Sequence, residues 1–101
     1  MRNTHSLIRN ASEFTTACIV SGSRRVDVIA AFVPRSDSPP RVCHFTGNLM
    51  SCMTELVEAC LGEGHAKNKT DREMWFLVAG YAHECEATFT LHVREVPREA
   101  A

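Results

Sequence analysis

Residues 74–96, MWFLVAGYAHECEATFTLHVREV, decide how the rest of the chain must fold. The second half of this stretch alternates, with Phe89, Leu91 and Val93 on one side. The residues on the other side are Thr88, Thr90, His92 and Arg94. Successive side chains of a strand point to opposite faces, so this alternation predicts a half-buried strand over 87–96.

The first half of the stretch fits two structures. It opens with six apolar residues, 74–79, and contains the single Trp and the single Tyr of the chain. Thr70-Asp71-Arg72-Glu73 has the form of a capping box, which predicts a helix over 71–85. That helix would be apolar around its whole circumference, and a chain of 101 residues can hardly cover it. We therefore favour a buried strand, paired with 87–96 through a turn at 83–85, and keep the helix as the alternative.

Two stretches upstream also alternate. Residues 14–20 carry Phe14, Thr16, Cys18 and Val20 on one face, which predicts a strand. Residues 25–33 predict a central strand that pairs with it across the turn cluster 21–24, and Pro34 ends this second strand. Residues 42–45 form a third candidate strand.

One helix is clear, over 49–61. Asn48 is a good N-cap, and Gly62 is well placed to end the helix in a left-handed conformation. The apolar residues at helical spacing are Leu49, Met53, Leu56, Val57, Cys60 and Leu61. We expect this helix to pack on one face of the sheet.

These elements predict an α+β fold, a small antiparallel sheet in the order ββ(β)αββ with one amphipathic helix on a face. A length of 101 residues indicates one domain. We place it at 13–97, between a mobile N-terminal arm (1–12) and a solvated tail (98–101).

The charge is divided between the two halves of the chain. Residues 1–46 carry six Arg against three acids, net +3, and residues 47–101 carry five bases against nine acids, net −4. This split is typical of ordinary surface variation, but it also fits a protein whose acidic half meets a basic partner. Five cysteines, with no apolar leader and no membrane-length run, predict a cytoplasmic protein with reduced thiols.

No catalytic signature is present, so we do not expect an enzyme, and we expect no cofactor. The chain has no Cys-x2-Cys pair, no phosphate-binding glycine loop and no G-x-S-x-G motif. Cys60, His65, His83 and Cys85 would form a zinc site only if the 62–69 loop folded back, and buried thiols with surface histidines are the simpler interpretation. A small zinc-binding domain therefore remains an alternative.

Nucleic-acid binding is a second alternative. It would depend on Arg24, Arg25, Arg35 and Arg41, which all lie at turns or loop edges. No aromatic residues are interleaved with them, and the net charge of −1 gives no general attraction to phosphate. Neither nucleic acid nor a membrane is therefore an expected partner.

A non-catalytic binding protein remains, acting by stoichiometric contact with a protein partner or, as a homodimer, with its own copy. Inhibitors encoded by phages and mobile elements, such as anti-CRISPR proteins, are of this type. We place the chain among them by excluding the other classes, and not because a motif matches. The residues predicted to contact the partner are Glu55, Glu58, Glu84, Glu86, Thr88, Thr90, His92 and Arg94.

Overall fold

The computed structural model describes residues 5–96, which form four strands and three helices. In chain order these are β1 (His5–Ile8), α1 (Ala11–Ser21), β2 (Val26–Pro34), β3 (Arg41–Gly47), α2 (Leu49–Leu61), α3 (Asp71–Glu84) and β4 (Ala87–Glu95). The predicted α+β class with an antiparallel sheet is confirmed. The strands predicted at 25–33, 42–45 and 87–96 are confirmed as β2, β3 and β4.

The sheet has the order β1-β4-β2-β3, and every neighbouring pair is antiparallel. The two central strands pair along their full length, from Val26 opposite Glu95 to Pro34 opposite Ala87. β3 lies on one edge and the four-residue β1 on the other. The hairpin partner of β2 is therefore β3, where the sequence predicted residues 14–20.

All three helices lie on one face of this sheet. Alternate residues of β2 and β4 are buried under the helices, and the residues between them are half-buried or exposed. A single core forms between the layers. Its large side chains include Ile8, Phe14, Val26, Val28, Phe32, Leu49, Met53, Leu56, Met74, Trp75, Val78, Phe89 and Leu91.

Helix α2 begins and ends as predicted. The side chain of Asn48 accepts a hydrogen bond from the backbone N–H of Ser51 at 2.8 Å, and Gly62 ends the helix with a φ of +108°. Leu49, Met53, Leu56 and Val57 are buried on the predicted face, and Cys52 is buried beside them.

The favoured strand over 74–81 is wrong, and the alternative helix is correct. Thr70 and Glu73 form the complete capping box that starts α3. Met74, Trp75 and Val78 are buried, whereas Phe76 is 54% exposed with the Arg72 guanidinium 5.3 Å from its ring centroid. The objection to an all-apolar helix fails because α3 packs against both other helices as well as the sheet.

The predicted strand at 14–20 is also wrong, because these residues lie in α1. The side chain of Asn10 caps this helix by accepting from the N–H of Glu13 at 2.8 Å. Phe14 is fully buried, with its ring centroid 5.8 Å from that of Trp75. The alternation that predicted a strand does not match the burial, because Thr16 and Val20 are exposed while Phe14 is buried.

The N-terminal arm was predicted to extend to residue 12, but the folded part begins earlier. Residues 5–8 pair with β4 as the edge strand β1, and residues 11–12 start α1. Residues 1–4 and the predicted tail at 98–101 lie outside the described residues.

Candidate binding face

The sheet face that the helices leave uncovered is the candidate site, and we call it the open face. The strand register places its residues in rows that cross the sheet. One row runs from Leu7 through His92 and Ile29 to His44. The remaining residues of the open face are Asp27, Ala31, Val33, Val42, Thr46, Thr88, Thr90 and Arg94.

Four large aliphatic side chains of the open face reach solvent. Leu7 is 44% exposed, Ile29 43%, Val33 46% and Val42 64%. Ile29, Val33 and Val42 come from the neighbouring strands β2 and β3, and Leu7 lies on β1 beyond His92 of β4. Because regular strands hold these side chains, their arrangement is set by the sheet and not by loops.

The formal charges of the open face cancel each other. Nη2 of Arg94 lies 2.8 Å from Oδ2 of Asp27, and the Thr46 hydroxyl donates to Oδ1 of the same carboxylate at 3.1 Å. These two hydrogen bonds lower the pKa of Asp27 below its usual value of 3.8. His44 lies on the far side, with Nε2 3.7 Å from Oδ1. At neutral pH Asp27 is therefore ionised and paired within the face.

The predicted contact residues fall into separate places. Thr88, Thr90, His92 and Arg94 lie together on the open face, as their alternation indicated. Glu84 and Glu86 are exposed near the same end of β4 as Thr88, at the end of α3 and in the turn that follows it.

The other two predicted acids are not part of that surface. Glu55 and Glu58 lie on α2, in the helix layer on the other side of the sheet. Oε2 of Glu58 accepts from the backbone N–H of Gly64 at 3.2 Å, so this carboxylate holds the loop after α2. The predicted contact residues therefore lie on opposite sides of the sheet and do not form one surface. Residue spacing alone does not show on which side of the sheet a helix packs.

The four exposed aliphatic residues of the open face were all missed in the sequence, namely Leu7, Ile29, Val33 and Val42. The apolar residues near the end of β2 suggested that both faces of the strand are buried there. Val33 is nevertheless exposed. The alternation of Val26, Val28, Ala30 and Phe32 already placed Ile29 and Val33 on the opposite face, and this was the available signal.

The four arginines of the nucleic-acid alternative do not form one patch. Arg24 and Arg25 precede β2, whereas Arg35 follows it and Arg41 pairs with Phe32 near its far end. Nine residues of strand separate the two pairs by about 26 Å at about 3.3 Å per residue. Nη1 of Arg24 is also paired with Oε2 of Glu95 at 3.1 Å.

Of the four predicted zinc ligands, Cys60 and Cys85 come together, whereas His65 and His83 have other neighbours. Within residues 5–96, no group of three or more His, Cys, Asp or Glu side chains is placed to hold a metal ion. Nδ1 of His65 lies 3.1 Å from the carbonyl oxygen of Gly62, and Nδ1 of His83 lies 3.4 Å from Nη2 of Arg35.

A cluster of thiols lies where the zinc site was expected. Cys43, Cys60 and Cys85 line a small cavity of about 180 Å³. Burial raises the pKa of the Cys60 thiol to about 11, and the two neighbouring cysteines add to the shift. Cys60 is therefore protonated at neutral pH, which makes it a weak nucleophile.

No helix in the described part of the chain is long and apolar enough to cross a membrane. In comparisons with known proteins, the chain matches no family model, no curated protein and no solved structure.

Proposed function

We propose that the chain is a non-catalytic binding protein that contacts a protein partner stoichiometrically through the open face. The observation that supports this proposal is the exposure of Leu7, Ile29, Val33 and Val42 on one regular sheet face, opposite a face that three helices cover. Apolar surface of this kind costs free energy in water and is typical of a contact surface.

The dimensions of the open face suit a protein contact. Strands lie about 4.8 Å apart and rise about 3.3 Å per residue, so four strands of this length present roughly 500 Å². A standard interface takes about 800 Å² from each partner, which the rim residues would bring within reach. Because the strands are rigid, little conformational entropy is lost on binding.

The chemistry of the open face indicates the chemistry of its partner. Arg94 and Asp27 neutralise each other, so a strongly charged partner surface gains little from the centre of the face. The exposed aliphatic groups and the Thr88 and Thr90 hydroxyls fit a partner surface that is apolar and has a few hydrogen-bonding groups. The same neutrality argues against a phosphate backbone as the ligand.

The acids at the rim suggest how the partner approaches. Glu84, the last residue of α3, and Glu86, in the turn before β4, are both exposed and lie close to Thr88 along the chain. Charge on an interface rim acts mainly on the association rate and its salt dependence. We therefore expect basic residues on the partner around this end. An inhibitor of the anti-CRISPR type can act by covering a functional surface of its partner. This activity needs no catalytic group.

Capture from cell lysate tests the proposal when variants are compared. Tagged wild type, Val42→Lys and Ile29→Lys serve as baits, with Ile19→Lys as the matched control, because Ile19 is a 76% exposed aliphatic residue of the helix layer. Thermal melts first establish that each bait is folded. A protein captured by wild type and by Ile19→Lys, but lost from both open-face variants, supports the proposal. Equal capture by all four baits contradicts it.

A second copy of the chain is also a protein partner of the required chemistry. Sedimentation of the purified protein at increasing concentration shows whether it dimerises. A dimer that dissociates with Val42→Lys but persists with Ile19→Lys would assign the open face to self-association.

A further inference from the structure

The edge strand β3 is long, regular and unprotected. All seven of its residues pair with β2 in one unbroken register, so it contains no bulge, and no strand within residues 5–96 lies beyond it. Residues 42–47 include no Pro, Lys, Arg, Asp or Glu. Sheets usually protect an edge by such residues, by a bulge or by a short strand, and the opposite edge strand, β1, has only four residues. β3 is therefore the edge that is open to pairing with another strand.

Two hydrogen bonds show which way the backbone groups of β2 point. The N–H of Arg35 donates to the carbonyl oxygen of Glu86 at 3.0 Å, and the N–H of Val96 donates to that of Arg25 at 3.2 Å. Both bonds continue the pairing of β2 with β4. Since the backbone groups of successive residues alternate between the two neighbouring strands, odd-numbered residues of β2 point to β4 and even-numbered ones point to β3.

The register carries this alternation into β3. Even-numbered residues of β2 lie opposite odd-numbered residues of β3, as Ala30 lies opposite Cys43. The odd-numbered residues of β3 are therefore bonded to β2. Val42, His44 and Thr46 turn their N–H and C=O groups toward the free edge, where they form a template for a further strand.

The side chains of β3 also lack cover. None of its residues is buried, whereas every second residue of most of β2 and β4 is. Val42 is 64% exposed on the open face, and Phe45 is only half-buried on the helix side. A strand placed beside β3 would cover both side chains and supply the missing partners of its backbone.

We propose that β3 pairs antiparallel with β3 of a second copy of the chain, about a two-fold axis at His44. In this register His44 lies opposite the partner's His44, and Val42 lies opposite the partner's Thr46. The three outward N–H groups of each copy donate to the outward carbonyl oxygens of the other, which gives six hydrogen bonds in all.

The edge is complementary to itself. The outward positions 42, 44 and 46 are symmetric about the middle residue of the strand, so one two-fold axis satisfies all of them together. Arg41 lies opposite the partner's Gly47, so no two arginines face each other across the axis. On the helix side, Cys43 lies against the partner's Phe45, and each covers the other.

This dimer enlarges the open face. Residues 42, 44 and 46 pair only with one another, so the open faces of the two copies lie on the same side of one eight-stranded sheet. The roughly 500 Å² of one copy becomes about 1,000 Å², which exceeds the 800 Å² or so that a standard interface takes from each partner. The edge contact itself is independent of the proposed function, because it needs no partner other than the chain.

Sedimentation of the purified full-length chain between about 10 µM and 1 mM tests the proposal. We expect a dimer with a dissociation constant on the order of 100 µM, because a contact along one strand is at the small end of interfaces. His44→Pro removes an outward N–H and keeps the bonds to β2, so it should weaken the dimer at least about tenfold. His44→Ala keeps that N–H and should stay within about twofold of wild type. Ile29→Lys, in the middle of the open face, should also leave the dimer intact, whereas it would break a face-to-face dimer.

Hydrogen exchange of the wild type, followed by NMR, has an internal control and does not depend on the folding of a variant. The amides of Val42, His44 and Thr46 should exchange about threefold or more slowly at 1 mM than at 20 µM, since mass action fills the dimer. The amides of Cys43 and Phe45 are bonded to β2 and should be slow at both concentrations. A chain that stays monomeric to 1 mM, an exchange rate at 42, 44 and 46 that ignores concentration, or a dimer broken by Ile29→Lys and not by His44→Pro would overturn the proposal.

Discussion

Arg94 and Asp27 face each other across the two central strands, with Nη2 of the arginine 2.8 Å from Oδ2 of the aspartate. This pair links β4 to β2 on the open face. Because the two charges are opposite, the pair adds no net charge to that face. The predicted strand 87–96 placed Arg94 on this side, but its partner Asp27 is 67 residues away in sequence and is known only from the fold.

The pair makes a small part of the stability depend on pH. Its hydrogen bonds lower the folded-state pKa of Asp27 below the usual 3.8, so the stabilisation is present above that pH and is lost as the pH falls through the folded value. Asp27→Asn should therefore reduce the free energy of unfolding by up to about 1 kcal/mol at pH 7, as partly exposed pairs do. Urea melts at pH 7 and pH 3 measure this, and the difference between the two proteins should be smaller at the lower pH. A difference that grows on acidification would contradict the assignment.

Ser21→Ala should stabilise the free protein. The change removes a buried hydroxyl without a partner and places the best helix former at the end of α1, so the free energy of unfolding should rise by about 1 kcal/mol. The hydrogen bonds that Arg24 makes at this end use the Ser21 carbonyl oxygen and remain. Denaturant melts of wild type and Ser21→Ala measure the change in the free energy of unfolding. A loss of stability would mean that the Ser21 Oγ has a hydrogen-bond partner.

The five thiols should react in an order set by exposure and pKa. Cys85 is exposed and should be alkylated first in the native protein. Burial raises the pKa of Cys18 to about 12 and those of Cys52 and Cys60 to about 11, so at pH 8 very little of each is thiolate. Mass spectrometry at increasing times follows the order. All five cysteines should be labelled after unfolding without reductant, and a missing pair of labels would reveal a disulfide.

The two segments that sequence reasoning misassigned show where local pattern stops being sufficient. Residues 14–20 and 74–81 are rich in β-branched or aromatic residues, and each can form a strand when considered alone. Their caps at Asn10 and Thr70 carried the correct signal, and the deciding contact is between them, Phe14 on Trp75. A contact between two segments of unknown secondary structure cannot be predicted from the sequence of either one. Helix α2 was predicted correctly because its apolar face and both its ends agree.

The candidate site was predictable to a similar extent. Alternation along one strand identified the Thr88–Arg94 side, because period two is a local property. The sequence did not show that Glu55 and Glu58 lie in the helix layer, because the face of the sheet on which α2 packs depends on the tertiary fold. The packing of α1 on α3 was out of reach while residues 14–20 were interpreted as a strand.

The rim acids should control how fast the partner binds. Reversing Glu84 and Glu86 to Lys should slow association at low salt, because both are exposed at the turn that leads into β4. Glu55→Lys, in the helix layer, is the matched control and should have little effect. At about 0.5 M salt, where screening acts within roughly 4–5 Å, the variants should converge with wild type. Stopped-flow or surface-based kinetics measure the rates, and a slower association for Glu55→Lys alone would place the contact on the helix layer.

The affinity of the captured partner for single-residue variants tests the central claim most directly. Isothermal titration gives the dissociation constants for wild type, Val42→Lys, Ile29→Lys and Ile19→Lys. If the open face is the contact surface, a buried lysine there should weaken binding at least about tenfold, whereas Ile19→Lys should stay within about twofold of wild type. Unchanged binding for both open-face variants, together with a large loss for Ile19→Lys, would contradict the account and assign the contact to the helices.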